Sequence, residues 1–98
     1  MAKGRIYISA KGVAYREAVK VLTQGAGYFY PDTRLDVAIV ANPPDRRRRD
    51  IDNLLKCTLD SLEHAGIFAD DSQVDKLAII RGAMIPGGGM LVTIQSVS

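Results

Sequence analysis

Two aspartates, Asp50 and Asp52, stand one residue apart directly after four consecutive arginines, Arg46 to Arg49, and Lys56 follows four residues beyond the second. Guanidinium groups attract phosphate, whereas bare carboxylates repel it. A divalent cation reconciles the two, because a hard ion held by carboxylate oxygens can also bind an anionic substrate. This combination points to metal-dependent chemistry on nucleic acid. Phosphodiester hydrolysis needs an activated water, charge stabilisation at phosphorus and in-line positioning, and a bound Mg2+ can serve all three. Asp50 and Asp52 can point to one side if the backbone passes from extended to helical between them. A third carboxylate has to come from elsewhere, and Asp70-Asp71 precedes a strand that can lie beside the same helix. Neighbours in a strand face opposite ways, so one of that pair is expected to reach the metal. Lys56 can steady the attacking water or the phosphate oxygens.

Each piece also has a purely structural reading. Asp50 suits a helix N-cap, and Asp52 with Lys56 makes an ordinary i, i+4 helix pair worth roughly 0.3 kcal/mol. Asp70-Asp71 suits a turn, and the arginines suit a solvated loop, although four in a row usually signal an anionic partner. His64 reads as a surface residue near a helix end and Cys57 as a packing residue. Gly87-Gly88-Gly89 lacks the following helix and Lys-Ser/Thr of a phosphate-cradling loop.

The chain has 98 residues, enough for one domain with one core. A net charge of +2 is too small to mark a nucleic-acid binder, but the distribution is informative. Of the 11 acids, 8 lie between positions 45 and 75, the stretch that also holds the arginine run. With one cysteine and one histidine, an intrachain disulfide, a thiolate zinc cluster and a two-histidine metal site are excluded. No apolar stretch approaches the ~20 residues of a membrane span, so no membrane association is expected and a cytoplasmic protein is the simplest reading.

The elements that must carry these residues follow from periodicity. Tyr15, Val19 and Leu22, with Ala14, Ala18 and Val21, predict a helix from Ser9 to Gln24, stopped by Gly25 and Gly27. Leu35 to Ala41 alternates as a strand, and Asn42-Pro43-Pro44 ends it. Ala38 and Val40 leave its other face partly apolar. A second helix starts after Asp50 and ends before Gly66, with Ile51, Leu55, Thr58, Leu59, Leu62 and Ala65 as its apolar stripe. Asp52, Lys56, Asp60 and Glu63 form the polar stripe. A turn over Phe68 to Ser72 leads into a strand from about Gln73 to Met84, and a glycine-rich hairpin leads into a last strand from Met90 to Val97. The expected fold is a single α+β domain: about three strands in a small mixed sheet, two helices, order α-β-α-β-β.

Three segments together resemble the RusA family of Holliday junction resolvases. They are Asp45-Arg46-Arg47-Arg48-Arg49-Asp50-Ile51-Asp52-Asn53-Leu54-Leu55-Lys56, then Asp60-Ser61-Leu62, then Ala65-Gly66-Ile67-Phe68-Ala69-Asp70-Asp71-Ser72-Gln73-Val74. Ser9-Ala10-Lys11-Gly12 with Tyr15-Arg16 is similar to the family's first helix. The resemblance implies that Asp50, Asp52 and Asp71 are catalytic and bind Mg2+, and that Lys56 is needed for activity. It places Arg49 in the DNA-binding stretch that Arg46 to Arg48 extend. It also implies a homodimer that cuts four-way DNA junctions by paired, symmetric nicks, one active site per subunit. Family members carry a further strand and a Pro-rich, Asn-containing loop ahead of the first helix, whereas this chain starts almost at that helix. The alternative is therefore a non-catalytic or impaired module of the same fold that binds branched DNA.

Overall fold

The computed structural model describes the backbone of residues 5–11 and the whole of residues 28–46 and 51–97. The elements are β1 (Arg5–Lys11), β2 (Leu35–Asn42), α1 (Ile51–His64), a 3-10 turn (Asp71–Gln73), β3 (Val74–Arg81) and β4 (Gly89–Ser96). The four strands form one mixed sheet in the order β1-β4-β2-β3. β4 is antiparallel to both neighbours, with Val92 opposite Ile8 on one side and Ile39 on the other.

β2 and β3 are parallel, and Leu35 lies opposite Val74 while Ile39 lies opposite Ile79. Parallel neighbours need a crossover that returns the chain to the starting edge of the sheet. α1 supplies it. Its 14 residues span about 21 Å, close to the length of the strands it crosses. The alternation read in Leu35, Val37, Ile39 and Ala41 puts all four in the core, which also takes Met90, Val92 and Ile94 from β4. On α1 the buried residues are Thr58 and Leu62, with Leu54, Leu55 and Leu59 packed around them. The Thr58 hydroxyl donates to the Leu54 carbonyl at 2.8 Å, so burying it leaves no donor unsatisfied. Ala65, counted in the apolar stripe, is exposed just past the helix.

Two expectations need correction. The helix predicted from Ser9 does not begin there, because Ser9, Ala10 and Lys11 belong to β1. Arg5-Ile6-Tyr7-Ile8-Ser9 alternates with period two, and seven consecutive residues pair with β4 from Arg5–Gln95 to Lys11–Gly89. That pairing covers an edge of β4, which outweighs the helical pattern lying further along. The rest of that predicted helix, 12–24, lies outside the described residues. Among the described residues the sheet accordingly has four strands rather than about three, and the order of elements starts with β instead of α. A strand therefore does precede the segment that carries the helical pattern. The α+β class stands. Among the described residues, no helix is long and apolar enough to cross a membrane.

The end of α1 fixes the path of the chain toward β3. The Gly66 amide donates to the Glu63 carbonyl at 3.0 Å and the Ile67 amide to the Leu62 carbonyl at 3.0 Å. With Gly66 at φ +81°, this is a Schellman closure, and Leu62 and Ile67 make its accompanying core contact. The chain reverses there and runs back past Glu63. A Cβ at Gly66 would meet nothing within 4 Å, so Gly66→Ala is expected to lose only the conformational term, about 1 kcal/mol. Leu62→Ala, emptying a fully buried position, is expected to lose about 3 kcal/mol. Urea unfolding midpoints check both, with the slope unchanged.

Candidate metal and nucleic-acid site

Asp52 lies in the first turn of α1, and Lys56 follows one turn later; both are exposed. Arg46 is exposed in the loop leaving β2. Pro43, behind it, is buried and its carbonyl accepts from the Ile85 amide at 3.0 Å, which ties the start of that loop to the β3–β4 connection. Asp50 and Arg47 to Arg49 lie outside the described residues.

Asp71 sits at the opposite end of the helix. After the reversal at Gly66, Asp70 caps the 3-10 turn: its Oδ1 accepts from the Ser72 amide at 2.9 Å. The Gln73 Oε1 accepts from the Asp70 amide at 3.1 Å, closing a capping box. The Asp71 amide donates to Glu63 Oε1 at 2.9 Å. As a result Glu63, Asp70 and Asp71 each offer a carboxylate oxygen, all within 4.8 Å of one another and exposed. The donor set is oxygen only and water-accessible, which fits a hard cation such as Mg2+.

The titration behaviour follows from this crowding. Asp71 is pushed above its ordinary value, first by its hydrogen bond with the Asp70 carboxyl and then by desolvation and the charges of Glu63, Asp70 and Asp60. Asp70 is pushed down, chiefly by the Ser72 amide, and also by the Ser72 and Asp71 side chains. The two shifts are consistent with each other: the one hydrogen bond between the adjacent carboxyls raises Asp71 and lowers Asp70. Mutual repulsion of this kind is what a bound cation relieves.

Asp52 is not part of that group. It is eleven residues before Glu63 on one helix, about 16 Å along the axis. Octahedral Mg2+ with bonds of about 2.1 Å keeps its ligands within about 4 Å of one another. The structure thus brings Asp71 together with Glu63 and Asp70, and within one chain it does not bring Asp52 to them. Topology is the reason: β2 leads up to Arg46 and Asp52, α1 leads down, and Asp71 precedes β3 at the lower edge.

Two residues that hold the turn escaped the sequence reading. Arg34, at the start of β2, donates from Nε to Asp75 Oδ1 at 2.9 Å and from Nη2 to the Ser72 carbonyl at 2.8 Å, and also pairs Nη2 with Asp75. Gln73 is buried beneath the turn. The spacing Asp70-x-x-Gln73 was an available signal, since an acid followed three residues later by Gln marks a capped helical start.

A family model described as Endodeoxyribonuclease RusA matches residues 1–94. The chain belongs to this family of DNA endonucleases. Among its relatives is a crossover junction endodeoxyribonuclease of Enterobacteria phage HK97, 45% identical over 89 residues that cover 90% of this chain and 74% of that protein. Those of Enterobacteria phage 82 and Escherichia coli K12 are each 38% identical over 96 residues, covering 94% of this chain and 78% of theirs.

Asp75 is held below its ordinary value, first by its hydrogen bond from Arg34. A depressed carboxylate favours the fold above the unfolded value of about 3.9, and this contribution disappears as pH falls through the lower folded value. Asp71 has the opposite sign: the native protein binds its proton more tightly, so it opposes the fold as pH rises through the raised value. Carboxyl NMR titration is expected to place Asp71 above the ordinary value and Asp75 below it. Glu63→Gln is expected to move Asp71 down and leave Asp75 where it is.

Proposed function

We infer that this protein is a Mg2+-dependent Holliday junction resolvase that acts as a homodimer on four-way DNA junctions. Family membership supports the reaction class, and the oxygen-only carboxylate group at Asp71 supports the metal. Asp50, Asp52 and Asp71 are assigned as the metal-binding, catalytic carboxylates. Lys56 is assigned to the phosphate or the attacking water, and Arg46 to Arg49 to the DNA backbone. When bound, the cation supplies the activated water and offsets charge on phosphorus.

The observation that carries this reading furthest is the placement of Asp52 and Asp71 at opposite ends of α1. One chain cannot put both on one ion in this arrangement, whereas a two-fold dimer can draw the first-turn acids from one subunit and Asp71 from the other. Each dimer then has two such sites, as two symmetric nicks require. Exposed Leu77 and Ile80 on β3, with Met84 just beyond, support association of subunits.

Asp52→Asn and Asp71→Asn are each expected to lower junction cleavage by roughly a hundredfold or more while junction binding is kept or tightened, because phosphate repulsion falls. Mixing the two inactive variants tests how the site is assembled. A mixed dimer with sites shared between subunits regains one intact site and nicks one strand; with self-contained sites it regains none. Normal cleavage by either single variant would remove that residue from the site, and failure of mixing to restore nicking would remove the shared assembly. Neutralising Arg47 and Arg48 is expected to flatten the salt dependence of binding by about 2 in the log–log slope for each subunit that engages the DNA. An unchanged slope would take those two arginines out of the DNA interface.

A further inference from the structure

We propose that Gln73 is a positioning residue for Asp71, fixing the main chain from which that carboxylate reaches the metal ion. The inference rests on the reading of Asp71 as a metal ligand. Gln73 is 3% exposed and two residues from Asp71. Its Oε1 accepts from the Ala69 amide at 2.8 Å and the Asp70 amide at 3.1 Å. Its Nε2 donates to the Tyr30 carbonyl at 3.0 Å and the Thr33 carbonyl at 2.9 Å. A carboxamide has two donor hydrogens and an oxygen with two lone pairs, and here all are used. Two amides on one side and two carbonyls on the other allow only one orientation of the group.

The turn needs such a hold. Ala69, Asp70, Asp71 and Ser72 are all exposed, so apolar packing does not place them. Glu63, Asp70 and Asp71 repel one another, and without a fixed main chain they would spread apart. From the helix side, Glu63 takes the Asp71 amide. From the inner side, Gln73 takes the two preceding amides and links them to the 30–33 segment, whose neighbour Phe29 donates to the Ile67 carbonyl at 2.8 Å. A metal ligand must be placed to within about 0.5 Å, and Gln73 is the buried group that sets this geometry.

The test uses the purified protein and Mn2+ as probe, followed by electron paramagnetic resonance without DNA, together with circular dichroism and cleavage across a Mg2+ series. Gln73→Met keeps length and volume but has no polar end, and is expected to weaken Mn2+ binding about tenfold. The Mg2+ needed for half-maximal cleavage rises by the same factor, and the rate at saturating Mg2+ stays within about threefold. Gln73→Glu still accepts from both amides but offers no N–H to the Tyr30 and Thr33 carbonyls, and is expected to weaken Mn2+ binding as well. Should Gln73→Met not fold, Gln73→Asn replaces it, one methylene too short to reach both sides. Unchanged Mn2+ affinity per folded molecule in the Met or Asn variant, whatever its melting temperature, would overturn the proposal. Asp71→Asn separates the two levels. If it binds Mn2+ like the parent protein, the ligand assignment itself fails; if it loses Mn2+ while Gln73→Met retains it, only the positioning role fails.

Discussion

Parallel pairing of β2 with β3 constrains almost everything else in this molecule. Antiparallel neighbours can be joined by a two-residue turn, but parallel ones oblige the chain to travel the length of the sheet and come back. In this chain the return is α1, and the acidic residues are distributed along that path. Arg46 and Asp52 fall where β2 ends; Asp70 and Asp71 fall where β3 begins. No choice of side-chain rotamer shortens a helix. A motif that is compact when written as a line of letters is therefore stretched over the height of the domain, and the shared site proposed for the dimer answers that separation.

At the lower edge, two opposite electrostatic arrangements lie within a few residues. Asp75 is matched by Arg34, whose guanidinium also takes the Ser72 carbonyl, so charge there is compensated within the chain. Glu63 and Asp70 accept from main-chain amides, Asp70 also from the Ser72 side chain. The crowding of the acids shows in the raised titration of Asp71, first through its hydrogen bond with Asp70 and then through the neighbouring charges. The first arrangement stabilises the junction between turn and strand. The second leaves negative charge exposed to solvent, and such a concentration favours a multivalent cation over scattered monovalent ones.

Much of the fold was readable because burial and periodicity coincide. Leu35, Val37, Ile39 and Ala41 alternate in the sequence and are buried in the sheet; Thr58 and Leu62 sit on the stripe that a 3.6-residue period marks. The expectation that failed, a helix from Ser9, did so where a short alternating run adjoins a longer helical pattern, and β pairing depends on the distant strand β4. The sequence singles out Asp50, Asp52 and Asp71 as candidates, but the distance between Asp52 and Asp71 was not legible in it, since it depends on sheet order. Glu63 looked like one more solvated helix residue. Its contact with Asp71 exists only because the chain doubles back at Gly66.

The four hydrogen bonds of Gln73 have a consequence for how such a turn can vary. All four go to main-chain atoms, two amides and two carbonyls, and none to a side chain. Whatever residues occupy positions 30, 33, 69 and 70, short of a proline at 69 or 70, the same partners remain on offer. Drift among those neighbours can thus go on without disturbing the clamp, while the glutamine itself has no substitute of equal reach and valence. Because its partners are main-chain atoms, the purpose of the glutamine is legible in three dimensions and not in the side chains beside it.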